Sequence, residues 1–366
     1  DRISAIAAML ELYTQSAIEN EDGVHMNGIK PHLKAFLSHG DLLNDTIKGA
    51  IEVELGCAYY YTHYQERAKQ LLESGIARLK LSPSQKNYSR MAQALSYLGN
   101  MHKEIGDHKK ARDLLEKSFL LYKRHDPQNS LGITRALASL GDTYKNLGEH
   151  QKAKNLLEQS IVLSQKHPHS NQLEVARTML YLGIVERDLG EYGTSIPLLQ
   201  KSLGLFTKHG NYIELARALK YLGNTYRSLG QFEAAKPFLE QSVSICKKHL
   251  PENHIALGRS LVHLATIYKS LGDYKRSQAL LQESLTIHQN VFGSTSVRTA
   301  WVLTQLATID RKRGDFEKAK KAMNDCLKTY ITSYGENSLR TAWVFMQLGI
   351  IHDDLKNYEK AQELLE

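Results

Sequence analysis

The sequence predicts an all-α protein, a solenoid of stacked helix pairs, and three regularities predict it. A Leu followed by Gly or Ala falls at Leu98, Leu140, Leu182, Leu222, Leu264, Leu306 and Leu348, at intervals of 42, 42, 40, 42, 42 and 42 residues. A Gly before Asp, Glu or Gln recurs at Gly106, Gly148, Gly190, Gly230, Gly272 and Gly314, and Lys356 takes that place in the last copy. Five residues beyond each comes a small residue: Ala111, Ala153, Ser195, Ala235, Ser277, Ala319 and Ala361. Self-similarity at a near-fixed period is the signature of stacked units.

Each unit reads as two helices. Leu137, Leu140 and Tyr144 stand at i, i+3 and i+7, the spacing of an amphipathic helix rather than the alternation of a strand. Gly148 then ends that helix, because a residue without Cβ can adopt the left-handed conformation of a tight C-terminal turn. Ala153, Leu156, Leu157 and Ile161 form the apolar stripe of the second helix. Small residues at Gly141 and Ala153 let the paired helices approach closely. Tyr144, Tyr226 and Tyr268 hold a packing position and are expected in the core rather than on a base-stacking surface.

The order of Leu-Gly, Tyr, Ala, Leu, and Ala or Ser in these copies resembles the tetratricopeptide repeat. The period exceeds the usual ~34 residues, so the pattern is most similar to the 42-residue repeats of kinesin light chains and related bacterial arrays. HEAT and armadillo arrays share the period but lack the Leu-Gly and Gly-Asp grammar. Pro197 and Pro237 fall two residues after the small residue, where kinesin light chain repeats often carry Pro, and are expected in a first helical turn where the missing N–H costs little. The resemblance implies a right-handed superhelix of about eight helix pairs that holds its ligand in a concave groove.

Residues 88–366 form the array of seven repeats, the last truncated, and residues 46–87 read as a divergent helical repeat in which Gly56, Ala68, Leu71, Leu72 and Ser74 echo the pattern. Residues 1–45 read as capping or linker helices: one over DRISAIAAMLELYTQSAI, a loop at ENEDGVHMNG, and one over IKPHLKAFLSHGDLL. That last stretch is similar to the segment joining a nucleotide-binding module to a tetratricopeptide array in signal-transduction ATPases of the apoptotic and plant-resistance type, and it reads equally as a simple cap. The chain starts without Met and stops inside a second helix, which suggests a piece of something longer.

Composition bounds the chemistry. Only seven prolines interrupt 366 residues, and Cys57, Cys246 and Cys326 show neither metal nor disulfide spacing. Such cysteine usage suits a reducing cytosol, and a cytoplasmic location is expected. There is no secretory signal and no apolar run of membrane-spanning length. Motifs for phosphate loops, zinc proteases and serine hydrolases are missing. Many of the sixteen His lie at the ends of second helices, as in Lys166-His167, Lys208-His209 and Lys248-His249, where they suit the helix C-terminus. The expectation is a recognition module with no chemistry, metal or cofactor of its own.

What varies between copies points to the ligand. Five residues before each Leu of the register stand Arg135, Arg177, Arg217 and Arg259; five residues after stand Lys103, Lys145, Arg187, Arg227, Lys269 and Arg311. Ten residues at about 100° each place the two members of a pair about 80° apart, on one helical face. In tetratricopeptide proteins those offsets face the groove, so the resemblance implies a basic groove; the same residues read alternatively as a solvated face. Asn100 and Asn224 follow Leu-Gly, where such grooves use Asn to hold a peptide backbone. Trp301 and Trp343 replace Arg in the last two copies, each one turn after Arg298 or Arg340, and either receive an apolar anchor or pack on the neighbouring repeat. A net charge of +8 favours acidic partners.

Three partner classes follow: an acidic peptide or protein segment in the groove; a trigger or regulatory segment, including the protein's own upstream part, if the chain is the sensor of a larger ATPase; and nucleic acid. The third is disfavoured, because the basic residues lack interleaved exposed aromatics and any reading motif.

Overall fold

The computed structural model describes residues 2–19, 23–39, 43–62, 64–165 and 172–366. Among these, the backbone is helical with no strand. Two N-terminal helices, α1 (Arg2–Glu19) and α2 (Gly23–Ser38), precede a pair α3 (Asp45–Tyr61) and α4 (Gln65–Leu79). The repeats follow as α5 (Gln85–Ile105) with α6 (His108–His125), α7 (Ser130–Asn146) with α8 (His150–Gln165), and α9 (Gln172–Asp188) with α10 (Tyr192–His209). They continue as α11 (Tyr212–Ser228) with α12 (Phe232–His249), α13 (Ile255–Ser270) with α14 (Tyr274–Phe292), α15 (Val297–Lys312) with α16 (Phe316–Tyr334), and α17 (Leu339–Asp354) with α18 (Tyr358–Leu365). Packing divides the chain into two compact units, Asp1–Leu198 and Leu199–Glu366.

The helix boundaries follow from local chemistry. Side-chain oxygens of Asn44, Ser84, Asp107, Asn129, Asn211 and Asp273 accept the amide three residues ahead, satisfying donors that a helix start leaves unpaired. At the turn inside each pair, Gly106, Gly148, Gly190, Gly230, Gly272 and Gly314 all have φ between 73° and 97°. The next amide reaches back, as Glu149 does to the Tyr144 carbonyl at 2.9 Å, and closes the helix. Lys356 occupies the same turn at φ 62° and is the one non-glycine residue with positive φ among the described residues.

Within a pair the helices meet at the Leu-Gly glycine. A Cβ on Gly141 would lie 2.5 Å from Cγ of Leu157, and on Gly99 or Gly223 it would lie 2.7 Å from Leu115 or Leu239. Those leucines are fully buried, so the added atom has nowhere to go. Polar small residues hold the same contact. Ser118, Ser160, Ser242 and Ser284 donate from the second helix to carbonyls of Ala92, Thr134, Ala216 and Gly258 in the first, at 2.6, 3.2, 2.7 and 2.7 Å. Cys326 fills that place with its thiol, 3.3 Å from the Ala300 carbonyl. Ser195 and Ser277, in the small-residue column, do likewise to Gly183 and Ala265. A buried hydrogen bond of this kind contributes about 1 kcal/mol.

In the first unit one core runs from Ala17 through Met101, so α1 and α2 share packing with the first two pairs. In the second unit, cores around Leu239 and Leu261 and around Met323 and Leu348 join successive pairs.

Several expectations are corrected. The stretch read as a loop, 19–28, is helical from Gly23 onward, and the helix read over 29–43 ends at Ser38. Pro197 and Pro237 are the sixth residues of α10 and α12, one turn deeper than expected. Each therefore deprives the carbonyl four residues back, of Gly193 and Glu233, of its helical N–H. Tyr268 is buried, whereas Tyr144 and Tyr226 are half-buried. Tyr144 and Tyr268 donate back to Glu116 and Glu240 on the preceding second helix, and Tyr226 stacks on Phe238 at 5.4 Å. Lys166-His167 lies outside the described residues.

A buried polar cluster under α1 is foreign to the repeat. Glu11 is clamped by Arg90 at 2.6 and 3.0 Å and by Lys86 at 2.9 Å, while the Gln15 amide meets Gln93 at 3.3 Å. Behind them Glu54 is fully buried, and neither carboxyl oxygen has a hydrogen-bond donor at bonding geometry. Burial, then the nearby Glu11 charge, push its pKa up to about 8.

Two outcomes are expected. Lys356→Gly removes an L-residue from the left-handed region and should stabilise the chain by roughly 0.5–1 kcal/mol; an unchanged or lower melting temperature by circular dichroism would contradict the turn. The Glu54 pKa is raised above its unfolded value of 4.5. The folded state therefore keeps a proton that the unfolded chain loses, and this group's contribution falls as pH rises from about 4.5 towards 8. Denaturant titrations from pH 5 to pH 8 should show Glu54→Gln removing a loss on the order of 3 kcal/mol; parallel pH profiles for both proteins would refute it.

Candidate functional site

The two basic columns lie on first helices, and the first helices of successive pairs pack side by side: α5 on α7 and α7 on α9 in the first unit, α11 on α13 in the second. The cation columns thus line one wall in each unit, built from the helix face opposite the leucine stripe.

In the first unit this wall is internally neutralised. Asp142 takes Lys103 from the neighbouring helix at 2.9 Å and also Lys145 from its own helix. Both ammonium groups lie over the Tyr181 ring, at 5.7 and 5.9 Å. Glu174 gathers Arg135 across the helix boundary at 3.3 Å and Arg177 at 3.0 Å. Burial acts to lower the Arg135 pKa, but Glu174 outweighs it and the net direction is up. Arg187 turns to Asp188 at 2.6 Å. None of the five is exposed. Lys103–Asp142 and Arg135–Glu174 join one pair to the next, so these cations brace the stack. Their acid partners stand at other offsets of the repeat, outside the two columns.

The second unit differs. Arg217 meets Glu214 at 3.5 Å, and Arg311 meets Asp354 at 2.9 Å. Arg259 and Lys269, on α13 between them, have no ion pair and no hydrogen bond among the described residues. Arg259 is open to solvent, yet protein crowds its guanidinium: its pKa is pushed down by lost hydration, then by Arg298, with Arg217 adding to the effect. Lys269 is also lowered, by burial first and then by Arg227 and Lys312. Two groups of like charges therefore gather along α11, α13 and α15.

Polar and aromatic positions complete the wall. Oδ1 of Asn100 in the first unit and of Asn224 in the second is buried and accepts no hydrogen bond. Trp301 and Trp343 are partly open, at 38% and 36% exposure. The arginines one turn earlier lie on other rings: Arg298 over Phe292 and Arg340 over Tyr334, each at 4.6 Å. Among the described residues no cation lies over either indole. His125 and His249, in the last turns of α6 and α12, also stack on the first helix of their pair, His125 on Tyr88 at 3.8 Å and His249 on Tyr212 at 3.6 Å. Among the described residues no cluster of three metal-ligating side chains forms, and no helix is long and apolar enough to cross a membrane.

Sequence reasoning missed the acids. Asp142, Glu174 and Glu214 were legible as residues, but only the packing of neighbouring first helices shows which column member each one reaches.

Comparison with known proteins bears on this wall through the fold. No curated protein sequence matches the chain. Among solved structures, the apo quorum sensor NprR from B. thuringiensis aligns with all of this chain and 97% of its own, at 14% identity and a TM-score of 0.65. A Rap protein complexed with Competence and Sporulation Factor covers 96% of this chain and 99% of its own, at 13% identity and TM-score 0.61. A signal-transduction ATPase with a tetratricopeptide repeat sensor from Pyrococcus horikoshii aligns over 86% of this chain and 52% of its own, at 13% identity and TM-score 0.57. At such identities the likeness is one of fold. The tetratricopeptide repeat family itself matches residues 90–166, 174–248, 257–332 and 311–366, most of the chain. By these matches and by the helix pairs that underlie them, the chain belongs to the tetratricopeptide repeat family.

Proposed function

We propose that this protein is a recognition scaffold whose basic wall in the second unit takes an acidic segment of a protein partner. The observation that carries the reading is the contrast between equivalent positions. Lys103, Arg135, Lys145 and Arg177 are neutralised from within, whereas Arg259 and Lys269 have no ion pair among the described residues and feel neighbouring cations, Arg298 and Arg217 for the one and Arg227 and Lys312 for the other. Unpaired like charge in one place is held against self-repulsion, and a bound anion relieves that cost. Asn224 Oδ1 on α11, buried and accepting no hydrogen bond, supports the reading as an acceptor for a backbone N–H of an extended segment. Trp301 on α15 offers an apolar surface beside the same wall.

Ligand contacts therefore concentrate on Arg217, Arg227, Arg259 and Lys269. The central cations of the first unit, Lys145, Arg177 and Arg187, serve mainly to hold it together. An exposed ion pair contributes under about 1 kcal/mol, so several must act together with an apolar anchor. The Rap protein above is complexed with a named factor, and that precedent supports a segment-binding role for this fold without indicating which segment.

Fluorescence anisotropy with acidic, neutral and basic peptides and a single-stranded oligonucleotide tests this reading. The acidic peptide should bind the wild type, weaken with added salt, and lose roughly 10–100-fold in affinity to an Arg259→Glu, Lys269→Glu variant that keeps its melting temperature. Arg135→Glu should instead lower the melting temperature and leave peptide affinity nearly unchanged. Equal binding of acidic and neutral peptides, or binding of the oligonucleotide alone, would overturn the proposal.

A further inference from the structure

A second cationic site stands at the other end of the chain and belongs to no repeat column. It is built where α2 crosses the turn between α3 and α4, around the ring of Tyr59, which is 4% exposed. Lys30 Nζ, Lys34 Nζ and Arg67 Cζ lie 5.4, 5.3 and 5.9 Å from the centroid of that one ring. Lys30 also lies 5.0 Å from the centroid of Tyr64, whose ring meets Tyr59 edge-on at 5.7 Å. Thr62 fixes the Lys30 ammonium: its Oγ1 accepts from Nζ at 3.1 Å while donating to the Ala58 carbonyl at 2.9 Å. One of the three ammonium protons is thereby used.

Among the described residues no carboxylate pairs with any of these three cations. The acid nearest in sequence, Glu66, is exposed. Ring faces attract cations by about 0.5–2 kcal/mol each, yet three charges converging on one phenol repel one another. Lys30 registers this, its pKa lowered by burial first and also by Lys34. The phenol registers it too: burial would raise the Tyr59 pKa, but the nearby Lys34 and Arg67 outweigh that and bring it down. The N-cap of α4, Tyr64, supplies no side-chain acceptor to the helix's first-turn amides.

We infer that Lys30, Lys34, Arg67 and the Tyr59 hydroxyl form an oxyanion site that takes a phosphoryl group. A carboxylate brings one charge and two coplanar oxygens. A phosphate monoester brings nearly two charges and three acceptor oxygens in a tetrahedral spread, which suits two ammonium groups, one planar guanidinium and a phenol on different sides. The site is separate from the groove in the second unit and does not depend on it.

Inorganic phosphate and O-phosphoserine are the probes, with acetate as the single-charge control, measured by calorimetry and by the phenolate absorbance of the wild type minus Tyr59→Phe. Phosphate should bind, acetate should not, and binding should move the Tyr59 titration to higher pH, since a neighbouring anion disfavours the phenolate. Lys34→Gln, Arg67→Gln should weaken phosphate by about tenfold or more with the helical signal intact, while Arg259→Glu, Lys269→Glu should leave it unchanged. Equal affinity for phosphate and O-phosphoserine assigns the site to the free anion; a phosphoserine peptide binding more tightly than either assigns it to a modified protein segment. Phosphate binding equally to wild type and the Gln variant, or leaving the Tyr59 titration in place, overturns the inference.

Discussion

Everything else in this chain depends on how closely the two helices of a pair come together. Where Gly99, Gly141 and Gly223 meet Leu115, Leu157 and Leu239, there is no room for a single Cβ. That spacing brings Ser118, Ser160, Ser242 and Ser284 of the second helices within reach of a carbonyl on the first, whereas Ser202 in the same column is buried without a hydrogen-bond partner. It also sets the rotation of the pair. With the leucine stripe turned into the seam and the neighbouring pair, the opposite face of each first helix is left to form the wall on which the charged columns stand. The left-handed glycine at the turn holds the second helix in place, and Lys356 marks the one copy in which that device is absent.

On the wall, the same residue type does two jobs, and geometry decides which. Arg135 and Arg259 occupy the same repeat position. One finds Glu174 on the next helix; the other finds Arg298 and Arg217. A buried or half-buried pair rigidifies the stack but is worth modest net stability, because desolvation opposes attraction. A cation whose charged neighbours are cations is costly to keep, and a bound anion would offset that cost. The Tyr59 corner repeats this logic with an aromatic ring in place of a repeat column.

The fold was legible because its determinants are local and periodic. Leu140, Gly141, Gly148 and Ala153 state the helices, the turn and the close approach within a span shorter than one repeat. The charge columns were legible as columns. Their meaning was not, because the deciding acids sit at unrelated offsets: Asp142 two residues after the register Leu, Glu174 eight before the next one, Asp354 six after the last. Pairing across first helices is a tertiary fact. The N-terminal region resisted for the opposite reason. With no repeat to align, nothing in GVHMNG signalled a helix start, and nothing in Glu54 foretold a protonated carboxyl sealed beneath α1. Tyr59, Tyr60 and Tyr61 match no repeat position, and only the packing shows Tyr59 under Lys30 and Lys34 of α2 and Tyr60 and Tyr61 against Tyr97 of α5.

The ion pairs that cross from one first helix to the next also bear on how such an array can change over time. Lys103–Asp142, Arg135–Glu174 and Arg311–Asp354 each take one member from each of two adjacent copies, and the acid comes from a different offset every time. Seen as a lineage of duplications, the copies began interchangeable and have become addressed to their neighbours. Deleting, inserting or shuffling a repeat would strand half of a brace on each side of the cut. The backbone seam would still accept the transplanted copy, while its charges would record that it had been moved.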